Sequence, residues 1–133
     1  MNRIAATREQ QLDRIVAAKR RTHRELRRPL DWAGFKAVCE REEVLVELAP
    51  LDREAMLAGY GGVWMILINS NEHPRRHTYR GAHELGHLWA HVDQGPLGRY
   101  EACYHMSVEW PDDPREDEAE FIAMRLLAGP ARK

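Results

Sequence analysis

Residues 83–87 read His-Glu-Leu-Gly-His, and the positions around them limit what this stretch can become. Leu85, Leu88, Trp89 and Val92 fall at i, i+3, i+4 and i+7, the spacing of one apolar helix face. A helix with that face in a core carries His83, Glu84, His87 and His91 on its other side, within about 100° of arc. Positions i and i+4 lie one turn apart, so His83 and His87 can reach a single tetrahedral zinc ion. Glu84 lies about 100° around from His83. That places it beside a water on the metal rather than on the metal itself, where a general base belongs. An ordinary surface helix shows the same polar stripe, so the distinction has to come from the rest of the chain.

A catalytic zinc site takes a third protein ligand and keeps one position open. Downstream the chain offers His91, Glu101, His105, Glu109, Glu116, Glu118 and Glu120. His91 stands eight residues after His83, about 12 Å along a straight helix, and is read as a supporting residue rather than a ligand to the same ion. Glu116 and Glu120 are spaced i, i+4 and share a face with Ala119 and Ala123. If that helix packs on the first through its small residues, Glu116 can reach the metal. Glu120 can then accept a hydrogen bond from the free N–H of a ligand histidine. Asp117 and Glu118 read as a solvated, charged first turn, and the same reading stays open for Glu116. An acyl-transfer site also needs an oxyanion stabiliser, for which Tyr60, Tyr104 and His105 are candidates.

The rest of the chain sets the frame. Its 133 residues and 44% apolar content suit one domain with a modest core. Residues 3–28 lack Pro and Gly and predict one helix with a thin apolar stripe. A short helix over 32–41 follows Asp31 as N-cap. Residues 44–48 and 63–68 predict strands, 50–59 fits either a loop or a helical turn, and a short extended piece is expected within 100–108. A helix over about 75–92 ends at Gly95-Pro96. A last helix begins at Pro114, with acidic residues in its first turns, and stops at Gly129-Pro130. The class is α+β.

Nine Lys or Arg against three Asp or Glu give residues 1–30 a charge of +6, while the whole chain carries −1. Solubility is the simpler reading of that arm, because no aromatic residues are interleaved with the charge. Nucleic acid is expected only through this segment. No apolar run is long enough to span a bilayer, and the N-terminus has no secretory pattern. Cys39 and Cys103 have neither CxxC spacing nor a disulfide framework. A cytoplasmic protein without membrane contact is expected.

Ala82-His-Glu-Leu-Gly-His87 is followed by His91, by Glu116-Asp-Glu-Ala-Glu-Phe-Ile-Ala123 and by Leu126-Leu127 before a proline. This combination resembles the ImmA/IrrE family of metallopeptidases, over roughly residues 30–130, and the apolar strand at 63–69 looks like that family's edge strand. The resemblance implies a minimal gluzincin: a two- to three-stranded sheet packed on the HELGH helix and on a C-terminal helix bearing Glu116. In this chain it would occupy 30–133, behind a basic N-terminal helix over 1–29. It makes His83, His87 and Glu116 the zinc ligands and Glu84 the base. It also implies cleavage of a specific protein, such as a helix-turn-helix repressor controlling phage, mobile-element or stress genes. Glu120 stands where the family usually has Asn, Ile122 where it has Phe, and Arg80 and Gly81 where smaller or apolar residues are common. An alternative is a non-catalytic zinc protein, regulatory or toxin-like, with the basic helix as its working surface.

Overall fold

The structure, a computed structural model, describes residues 4–95, 98–101, 106–108 and 113–131. Helix α1 (Ala6–Thr22) is followed by a 3-10 turn at Arg24–Arg27 and by helix α2 (Trp32–Arg41). Three strands come next, β1 (Val44–Ala49), β2 (Ala55–Tyr60) and β3 (Val63–Asn69). After a 3-10 turn at Pro74–Arg76, helix α3 (His77–His87) continues directly into a π-helical segment, Leu88–Val92. A short helix α4 (Gly98–Glu101), a short strand β4 (Met106–Val108) and helix α5 (Pro114–Ala128) complete the order. The class is α+β, as the sequence predicts, and the helices pack on a small sheet that proves to be mixed. No helix among the described residues is long and apolar enough to cross a membrane.

The sheet order is β1-β3-β2-β4. The run Val-Trp-Met-Ile-Leu-Ile therefore sits inside the sheet, not at its edge. β1 pairs with it in parallel from Val44↔Trp64 to Ala49↔Asn69, and β2 pairs antiparallel on its other side. Its interior place follows from its two partners and not from its apolar run, since only alternate residues are buried while Val63 is exposed and Met65 and Leu67 are partly covered. Trp64, Ile66 and Ile68 point into the core. Residues 50–59, left open between loop and helical turn by the sequence, supply most of strand β2 (Ala55–Tyr60). Gly61 (φ 58°) and Gly62 (φ 85°) form the two-residue turn of the β2–β3 hairpin. A Gly-Gly pair between apolar stretches is itself a hairpin signal, because that turn needs positive φ at both central positions.

The single helix predicted over 3–28 is broken at His23, which has extended backbone (φ −118°, ψ 109°). The break turns His23 and Leu26 inward, and both are buried. His23 Nε2 lies 2.7 Å from Glu42 Oε2, and Lys19 Nζ lies 2.8 Å from the same oxygen. Arg99 Nη2 and Trp89 Nε1 donate to Glu42 Oε1 at 3.0 and 3.2 Å. Burial pushes the Glu42 carboxyl up, but these donors outweigh it and hold the pKa down to about 2. Leu12 and Val16 of α1 share one buried cluster with Phe35, Trp64, Leu85 and Ile122.

Two glycines set how closely α3 is packed. A Cβ on Gly81 would fall 2.4 Å from the Phe35 ring, and one on Gly86 would fall 2.7 Å from the Ala119 carbonyl oxygen. Gly86 and Ala119 thus bring α3 and α5 almost backbone to backbone. At the start of α5 the Asp113 side chain caps the helix by accepting from Arg115 N (2.8 Å), with Pro114 in the first turn.

Candidate metal centre

The α3–α5 contact brings the histidine pair and Glu116 together. His83 and His87 stand one turn apart, and one ligand atom each from His83, His87 and Glu116 lie within 4.8 Å of one another. The Nε2 atoms face Glu116: His83 Nε2 is 3.1 Å from Oε1, and His87 Nε2 is 2.8 Å from Oε2. Nitrogen and carboxylate lone pairs held this close are reconciled by protons or by a cation, and the donor set is one that zinc accepts. Glu84 is buried and lines the same cavity, of about 160 Å³, with His83, His87 and Glu116. Its remaining walls are Arg53, Glu54, Ala55 and Arg80. Arg80 is fixed at the rim by Glu54 (2.8 Å) and Glu72 (2.9 Å).

The other ring nitrogens have partners of their own. His83 Nδ1 lies 3.3 Å from Glu120 Oε1, an oxygen that also accepts from the Tyr79 hydroxyl at 2.7 Å. His87 Nδ1 lies 3.1 Å from His91 Nδ1. Burial, reinforced by the neighbouring His83 and His91, pushes the His87 pKa down to about 3. His87 is therefore neutral near pH 7, the state in which an imidazole nitrogen can ligate a metal. Burial likewise lowers the His91 pKa, and it is the first cause raising that of Tyr79, to about 12, with the Glu120 hydrogen bond second.

The structure thus brings together His83, Glu84, His87, Glu116 and Glu120, and places His91 behind His87. Tyr60 is not among them. It is 68% exposed at the hairpin end of β2, whereas Ala55, at the other end, lines the cavity. A strand rises about 3.3 Å per residue, so the two ends are far apart on the scale of a hydrogen bond. Tyr104 and His105 lie outside the described residues. Glu118, read from sequence as a solvated charge, is instead packed between Arg8 Nη2 (2.8 Å) and His91 Nε2 (2.9 Å), with its side chain 15% exposed. Helix spacing alone could not show this, because Arg8 arrives from the far end of the chain. Tyr79 is missed by the sequence reading, although it precedes His83 by one helical turn.

Two comparisons with known proteins bear on this arrangement. A family model described as the IrrE N-terminal-like domain, of the M78 peptidases, matches residues 39–128. No curated protein matches the chain. The matched segment runs from the end of α2 to the end of α5 and contains both helices that form the site. With more than half of the chain matched, and with the HELGH helix and the Glu116 helix meeting as the sequence resemblance implies, this chain belongs to the ImmA/IrrE family of peptidases.

Proposed function

We propose that the chain is a zinc metalloendopeptidase, with His83, His87 and Glu116 as ligands and Glu84 as general base. The observation that carries this reading is the meeting of three side chains able to hold a metal, from two helices, beside a buried glutamate in a cavity. Zinc held there supplies Lewis-acid activation of a water and of a peptide carbonyl. His83 and His87 present Nε2 to the site, and Glu116 closes the set from α5. Glu84 follows His83 on α3, lines the same cavity, and would take the proton of the attacking water. After C–N cleavage the same carboxyl can return that proton to the leaving amine.

The substrate is a specific protein, such as a helix-turn-helix repressor; the family membership supports this part of the reading. An extended peptide cannot add to β3, whose two edges are already paired. The start of β2 reaches the cavity through Arg53, Glu54 and Ala55, and the substrate chain is expected along that side. The test is co-expression with a candidate repressor, comparing wild type with Glu84→Gln. The variant should bind one zinc per chain and leave the repressor intact. Equal cleavage by both proteins would remove Glu84 from the mechanism. Absence of zinc from the purified wild type would remove the metal centre.

A further inference from the structure

A line of side chains runs from the metal centre to a helix outside the family segment. His87 Nδ1 meets His91 Nδ1 at 3.1 Å, His91 Nε2 meets Glu118 Oε1 at 2.9 Å, and Arg8 Nη2 donates to that oxygen at 2.8 Å. Arg8 belongs to α1, whereas the matched segment begins at residue 39. Its guanidinium is steadied by a second bond, from Nη1 to Gln11 Oε1 at 3.0 Å.

The outer end of this line fixes the proton between its two outer members. A guanidinium only donates and an ionised carboxylate only accepts. His91 therefore turns an Nε2–H toward Glu118, and its Nδ1 is held facing His87 Nδ1. The His87 ring is thereby braced from behind, with Nε2 turned to Glu116. The backbone cooperates: Leu88–Val92 is π-helical, closed by Asp93 N donating to Leu88 O at 2.8 Å. The wider turn changes the direction of His91 relative to a regular α-helix.

We propose that Arg8, Glu118 and His91 are positioning residues that hold the His87 ring with Nε2 toward the metal site, so that the N-terminal helix sets the affinity of the centre for its metal. This rests on the assignment of His87 as a ligand. Partners of this kind change metal affinity by roughly 10- to 100-fold when removed.

The experiment uses the full chain with zinc alone as the probe. Affinity is read by competition with a chromophoric chelator. Arg8→Ala and Glu118→Gln should weaken zinc binding about tenfold or more. Arg8→Lys should recover part of the affinity, because an ammonium can still donate to Glu118. Arg14→Ala, on an exposed position of the same helix, should change nothing. His91→Asn alters a buried site, so the decisive variant is Arg8→Ala, whose side chain is 29% exposed. Unchanged zinc affinity in Arg8→Ala and Glu118→Gln would overturn the proposal while leaving the ligand set intact. Wild-type zinc affinity in His87→Ala would instead overturn the ligand assignment, and the relay with it.

Discussion

Gly86→Ala tests whether the α3–α5 approach builds the metal centre. The added Cβ would fall 2.7 Å from the Ala119 oxygen and 2.9 Å from its Cα. Both are backbone atoms, so no side chain can rotate away. Ordinary contact begins near 3.4 Å, and the helices must therefore separate by about 0.7 Å. Overpacking of this kind costs roughly 1–3 kcal/mol, and the better helix propensity of Ala returns about 0.5–1 kcal/mol. The metal-free variant should lose up to about 2.5 kcal/mol, seen as a Tm lower by up to roughly 10 °C. Glu116 lies one turn before Ala119 on α5 and moves with it. Ligand distances tolerate only about 0.2 Å, so zinc affinity should fall by more than the stability loss alone would produce. Thermal unfolding without metal and chelator competition with zinc separate the two effects. A Gly86→Ala protein as stable as wild type with unchanged zinc affinity would refute the close-approach argument.

Two further predictions concern residues away from the site. Glu42 has its carboxyl lowered from 4.5 to about 2, so its contribution is present above pH 4.5 and is lost as pH falls toward 2. At pH 3 about 2 kcal/mol of that contribution should be gone, read as the difference between wild type and Glu42→Gln in how far urea stability falls from pH 7 to pH 3. Cys39 is fully buried and its thiol is pushed up to about 12, chiefly by burial. A thiol reagent at pH 8 should modify it at the rate of global unfolding, and fast labelling of Cys39 in the folded protein would contradict the packing of α2.

The local elements were largely legible, because each depends on neighbours in sequence. The stripe of Leu85, Leu88, Trp89 and Val92 declared α3, Asp31 declared α2, and Pro114 with its acidic first turn declared α5. The break at His23 was not legible. Residues 3–28 have uniform helix propensity, and the chain leaves the helix to bury His23 against Glu42, a contact made only after folding. β3 was recognised as a strand but misplaced at an edge, since its pattern gives burial and not the number of its partners.

The same division applies to the site. The sequence by itself determined a helix with His83, Glu84 and His87 on one face and a second helix bearing Glu116 and Glu120, because helical spacing is a property of the local chain. Only the tertiary structure decided that Glu116 faces both Nε2 atoms, since that depends on Gly86 letting two helices approach to backbone contact. It also decided that Glu118 joins His91 to Arg8 rather than facing solvent. An ion pair between residues 110 positions apart exists only once α1 has docked beside α5.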